Sequence, residues 1–310
     1  MKRLLIGLAL VLGLCAADVP AFCQELTVYA MCPPRSMDWS SPRSLLFATA
    51  GNKLTFHHKN HKHSIGHVFI ELKHGDERML TGSVPTGDSN ALNKQLLLKE
   101  GAGLGILFAD MPGRLEETAG LDSELPDRYA SGRIAFITFK LSQATYDRVK
   151  TFISEYQKRG YDKIYNGLNV PRRGLGAGCG TFGMACLDVA GLLHPTWQKI
   201  WYRHIDIAQR LIGGRFNKGT KVSVTDLLLA GRWNRDGEPT RRLDLCDPDF
   251  VYQWVNTVHD NLMFKRVHNA TDGLGQAPDH KVSPEKRQKA KGLVYDCTHV
   301  KTPTEPIFLK

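Results

Sequence analysis

The apolar positions are densest between Gly66 and Lys73, where Val68, Phe69, Ile70 and Leu72 beside His67 form a run typical of a buried strand. A turn at His74, Gly75 and Asp76 leads into a second strand over 77–84, and the two predict a hairpin. Residues 44–50 and 53–56 read as strand material around a turn at Gly51 and Asn52, and 133–140 as another β-rich strand. The period changes after Ser142. Tyr146, Val149, Phe152, Ile153 and Tyr156 recur at helical spacing, with Ser142 as cap and Gly160 as stop. A second helix runs from Cys179 to Gly191, with Phe182, Ala185, Cys186, Val189 and Ala190 on one face. Further helical stretches fall near 197–212 and 248–265. Residues 25–45 read as irregular, 86–131 as a long polar insertion punctuated by glycine, and 281–291 as a solvated charged helix or loop.

These elements predict an α+β fold, a small antiparallel sheet packed on the 142–159 and 179–191 helices. With 310 residues, the chain divides into a leader (1–21), an N-terminal extension (22–45), a central domain (46–212) and a C-terminal extension (213–310). Hydrophobic residues at 42% and charged residues at 23% exclude a disordered, collagen-like or multi-span membrane chain. A net charge of +10 suits anionic surfaces, but the cations are dispersed, so nucleic acid is not an expected partner.

The leader changes the picture. Met1, Lys2 and Arg3 precede an apolar run that ends in Cys15, Ala16 and Ala17, and Val19, Pro20 and Ala21 offer a cleavage site. A short basic head, a short apolar core and small residues describe a secretory signal peptide, too short for a comfortable membrane anchor. The mature protein is therefore expected in a bacterial periplasm or secreted, with no integral membrane segment. Export makes disulfides permissible. If Cys15 leaves with the leader and Cys179 and Cys186 are otherwise used, Cys23, Cys32, Cys246 and Cys297 remain for two bridges of open connectivity.

Cys179 is the candidate nucleophile. It follows the glycine-rich run 174–178 and opens a helix, where the positive end of the dipole and unpaired N–H groups favour a thiolate and can hold an oxyanion. A buried structural thiol would also fit the local pattern. His67, on its apolar strand, is the candidate base. Taken together, the Gly66–Leu72 strand, the helix headed by Ser142, a tyrosine-containing loop, and Gly178 to Phe182 with Ala190, Gly191 and Leu192 resemble the circularly permuted NlpC-like branch of the papain superfamily. There the histidine strand precedes the cysteine helix. The resemblance covers about residues 46–195 and implies a cysteine hydrolase, peptidase or amidase, with Cys179 as nucleophile, His67 as base and acid, and no cofactor. It implies a substrate among peptides, peptidoglycan or acyl lipids of the envelope.

The residue that should orient His67 is unassigned. Glu71, four residues along the same strand, lies about 13 Å away, and Thr81, Ser83 and Thr138 are weak orienters. His194, His204 and His259 would serve a conventional papain order, but His259 sits on a helix. Three other readings stand beside the hydrolase. One is a lipid-directed thiol acyltransferase or thioesterase. Another is a non-catalytic envelope-binding module. The last is a metal binder built on His57, His58, His61, His63 and His67, opposed by Lys59 and Lys62. No metal ligand is assigned.

Overall fold

The computed structural model describes residues 24–55, 63–268 and 282–310; the expected leader, Cys23, His57, His58 and His61 lie outside them. In chain order the elements are β1 (Gln24–Met31), α1 (Pro42–Leu54), β2 (His67–His74), β3 (Glu77–Thr81), β4 (Ser83–Pro85), α2 (Asp88–Lys94), β5 (Met111–Leu115), α3 (Thr118–Asp122) and α4 (Leu125–Ser131). They continue as β6 (Ile134–Leu141), α5 (Gln143–Lys158), β7 (Ile164–Tyr165), α6 (Cys179–Val189), α7 (Pro195–Ile200), β8 (Tyr202–Ala208), α8 (Val224–Leu229), β9 (Thr240–Cys246), α9 (Pro248–His268), β10 (Val282–Arg287) and β11 (Ala290–Asp296).

The fold is α+β. Its main sheet has six strands in the order β10-β11-β6-β1-β2-β3, larger than expected and mixed, because β11 runs parallel to β6 while the other pairs are antiparallel. Strands β4, β5 and β7 form a second small sheet, and β8 and β9 a two-stranded ribbon. β1, read from sequence as irregular, is a central strand with all eight residues paired on both sides. Segments expected in three successive units thus share one sheet: β1, then β2, β3 and β6, then β10 and β11.

Alternation sends side chains to two cores. Val28, Val68, Ile70 and Ile137 meet Val149, Phe152 and Phe182 of α5 and α6 on one face. Tyr29, Phe69 and Phe136 meet Leu121 and Leu125 beside α3 and α4 on the other. A satellite core joins Ile207, Leu211, Leu227 and Leu243 around β8, β9 and α8.

The hairpin predicted over 67–84, the strand at 134–141 and the helices at 143–158, 179–189 and 248–268 are present. Four local readings are corrected. Residues 44–50 and 53–54 lie in one helix, α1, because the Ser41 side chain accepts from the N–H of Ser44 and Pro42 takes the first turn, where its missing N–H costs nothing; Phe56 lies outside the described residues. The helix expected over 197–212 ends at Ile200, and 202–208 pairs along its whole length with 240–246. The 86–131 segment holds β5 and three short helices, and 282–296 is a strand pair, because cross-strand pairing overrides the local polarity. Cys32, Cys246 and Cys297 are unpaired thiols, so no disulfide joins any two of the three. Among the described residues no helix is long and apolar enough to cross a membrane.

Candidate active site

Helix α6 presents Cys179 at its first position. Three features place it. Gly178 caps the helix, its N–H donating to Thr181 Oγ1 at 3.0 Å. A side chain at Gly178 would lie 2.5 Å from the Cα of Gly167, so glycine lets the helix start press against the segment that follows β7 and its Tyr165. A side chain at Gly183 would lie 2.9 Å from Val68 Cγ1, so the helix sits flush on β2, the strand that carries His67. Gly178 and Gly183 therefore do more than turn the chain. They bring the helix start to the head of β2.

There Cys179 and His67 meet, both buried. Burial alone would raise the thiol pKa, but a hydrogen bond from His67, its positive charge, the N–H of Val68 and the Tyr165 hydroxyl together hold it below the ordinary 9.0. Burial works against charge on His67 too. Its bonds to Cys179 and Glu116, and the negative charge of both, nonetheless raise it from 6.5 to about 10. The opposite directions describe a thiolate–imidazolium pair, whose titrations belong to the pair.

The acid that bonds His67, unassigned from the sequence, is Glu116. His67 Nε2 lies 2.6 Å from Glu116 Oε2, and both side chains are shielded from solvent. Glu116 follows β5, and its backbone is laced to the β3–β4 connection: its N–H donates to Gly82 O at 2.8 Å and its carbonyl accepts from Thr81 Oγ1 at 3.0 Å. Pro112 and Gly113 hid β5, since both residues argue against a strand. The signal available was the spaced pair Met111 and Leu115, leading into two acids.

The candidates weighed for that role are placed elsewhere. Glu71 accepts from the Tyr29 hydroxyl at 2.6 Å and pairs with Arg78. Ser83 donates to Ala177 O, and Thr138 bonds Thr27. His194 accepts from the N–H of Thr196, while His204 and His259 pair with Asp244 and Asp260, so none joins Cys179.

Tyr165, on β7, points its hydroxyl at the thiol, 3.9 Å from Sγ. Burial and the neighbouring Cys179 charge push its pKa well above 10, which keeps its proton in place as a donor. Cys186, about two turns further along the helix, differs. Burial raises its thiol strongly with nothing to offset it, so it behaves as a small hydrophobe.

Access to Cys179 is through a narrow slot of about 40 Å³ lined by Met37, Trp39, Ile65, Leu245 and Pro248. A larger trough of about 850 Å³ between Arg210, Lys221, Arg232 and Arg235 shares no lining residue with it and holds no nucleophile. The slot, not the larger trough, adjoins the chemistry.

Of the histidine-rich stretch, His63 is described. His63, His67 and Glu116 place three donor atoms within 4.8 Å of one another. The two imidazoles, however, are stacked at 4.2 Å between centroids and only 10° apart in plane. Ring lone pairs in parallel planes do not converge on one ion, so this cluster is not a metal site as arranged.

No family model matches the chain, and neither a curated protein nor a solved structure is similar to it.

Proposed function

We propose that this chain is a cysteine hydrolase that cuts an amide through Cys179, His67 and Glu116, on a papain-like fold of permuted NlpC-like order. The observation that carries the reading is the 2.6 Å contact between His67 Nε2 and Glu116, on a histidine that also bonds a thiol of lowered pKa. A nucleophile, its base and an orienter of that base, in line, are the minimum for this chemistry.

With Nε2 engaged by Glu116, Nδ1 is the nitrogen assigned to proton exchange with the sulfur. The Cys179 thiolate attacks the carbonyl carbon, and the imidazolium gives its proton to the leaving nitrogen as the C–N bond breaks. A thioester remains. His67 then takes a proton from water, the hydroxide attacks the thioester, and the thiolate leaves as the acid is released. The Cys179 N–H has no carbonyl partner inside the helix, and with the protonated Tyr165 hydroxyl it supplies donors for the oxyanion.

A secretory leader and the family resemblance favour an amide of the bacterial envelope, in cell-wall peptide. The test is digestion of purified peptidoglycan and its stem peptides by mature protein and by Cys179→Ala, read by mass spectrometry. New amine and acid termini made only by the wild type support the reading. Release of fatty acid from acyl lipids instead would move it to a thioesterase, and no product from either, with an unreactive thiol, would leave a binding module.

A further inference from the structure

The face of β2 that carries His67 also carries a column of near-parallel rings. Tyr29 stacks on Phe69 at 4.8 Å and 15°, Phe69 on His67 at 5.9 Å and 17°, and His67 on His63 at 4.2 Å and 10°. His67 is therefore held between two plates. The inner one is fixed by the strand, two residues along. The outer one, His63, comes from outside the strand, just before the turn at Gly66. Its Nε2 lies 3.8 Å from Glu124 Oε2, and that oxygen lies 3.6 Å from Arg128 Nη2. Arg128 is itself buried.

We infer that His63 is a positioning residue for His67: its ring clamps the plane of the catalytic imidazole and favours the charged form through its π face. This rests on the hydrolase reading only in calling His67 catalytic. The geometry gives the reason. Glu116 and the thiol fix His67 along its edge, at the two nitrogens, but neither stops rotation out of the plane they define. A ring at 4.2 Å does, and a cation against an aromatic face gains further stabilisation. Among the described residues, the titratable and charged groups near this stack are Glu116, which bonds His67, and Glu124, whose carboxylate lies 3.8 Å from His63 Nε2 and 3.6 Å from Arg128 Nη2.

The test compares His63→Phe with His63→Leu in the whole mature protein. Both side chains are apolar and of similar bulk; only one has a ring. The readout is the rate of Cys179 alkylation by iodoacetamide from pH 5 to 10, with peptide mapping to separate Cys186. His63→Phe is expected within about twofold of wild type, and His63→Leu slower by roughly three- to tenfold at neutral pH, with its thiol titration moved upward. Equal profiles for the two variants would overturn the inference. A wild-type thiol of ordinary reactivity would instead sink the Cys179–His67 pair itself. Loss of substrate turnover with normal alkylation would sink only the hydrolase reading.

Discussion

His67 and Glu116 are 49 residues apart in sequence and 2.6 Å apart in space. The carboxylate reaches the histidine because β5 ends where the β3–β4 connection passes, and two backbone-directed bonds, at Gly82 and Thr81, hold that junction. Glu116 thus comes off the end of the small sheet and His67 heads a strand of the large one, so their contact depends on how the two sheets meet.

Glu116→Gln keeps an acceptor of nearly the same shape and removes the charge. The imidazolium loses one of its two anionic partners, so its pKa should fall from about 10 and that of Cys179 should rise with it. Alkylation of Cys179 at pH 7 should slow by roughly tenfold, and any hydrolysis by roughly 10²-fold or more. An unchanged alkylation profile in this variant would mean that Glu116 is a structural neighbour only.

The pH dependence has a definite sign. Thiolate forms as pH rises through a Cys179 value below 9.0, and His67 gives up its proton only near 10. Hydrolysis needs both ions, because the imidazolium protonates the leaving group, so turnover should rise on the acid limb and fall as pH approaches 10. Alkylation needs only the thiolate, so it should share the acid limb and show no fall. In Cys179→Ala, His67 loses its thiolate partner and should titrate well below 10, which histidine ring proton shifts in NMR would report. A His67 that titrates identically with and without the thiol would contradict the pair.

What was legible in the sequence follows from the range of the forces involved. Helices α5 and α6 announce themselves by i, i+3, i+4 spacing, and β2 by its dense apolar residues Val68, Phe69, Ile70 and Leu72, so Cys179 and His67 could be singled out from local pattern. β1 could not. It is central because β2 and β6 pair with it on either side, and its polar Thr27 is matched only by Thr138 across the strand at 3.0 Å. Glu116 was hidden twice, by a strand containing proline and glycine and by a partner in another sheet. Tyr165 was visible only as a member of a loop, since its value comes from the cysteine it faces. Local chemistry was readable, and the contacts that orient it were not.

Gly82 is the tightest point of the junction. A Cβ there would meet Phe69 Cβ at 2.8 Å, His67 Nε2 at 3.2 Å and Glu116 Oε2 at 3.3 Å. Phe69 is fixed in the core, so the methyl of Gly82→Ala must displace the strand or the His67–Glu116 pair. The expected cost is about 1–3 kcal/mol, with Cys179 alkylation reduced as in Glu116→Gln. Gly120, in α3, meets nothing within 4 Å, and Gly120→Ala should leave stability unchanged or raise it by up to about 1 kcal/mol. Thermal unfolding of both variants decides the matter, and equal effects would show that the contact at Gly82 is slack.

The C-terminal segment clamps the far side of α6 through two arginines: Arg148, which donates to Val189 O at 2.9 Å and to Glu305 O at 2.6 Å, and Arg172. Arg172 is buried; its Nη1 donates to Asp188 at 2.8 Å, its Nε to Ile307 O at 3.0 Å and its Nη2 to Pro306 O at 2.8 Å, while Leu309 N–H donates back to Arg172 O at 2.6 Å. Phe308 packs on Phe152 and Tyr161, with the Arg159 guanidinium 4.7 Å over its ring. Arg172→Lys keeps the charge and loses the fork, because an ammonium cannot address a carboxylate and two carbonyls in one plane. Asp188 and Glu305 are half-exposed, so solvent can rehydrate them. That limits the loss to the hydrogen bonds, about 1–3 kcal/mol. Deleting residues 304–310 removes the same carbonyls and Phe308 as well, and should cost more. Because the two changes delete shared bonds, the Arg172→Lys truncated protein should be barely less stable than the truncated protein alone. Strict additivity in that cycle would show that the tail stabilises the fold through Phe308 and Arg148 and that Arg172 acts independently of it.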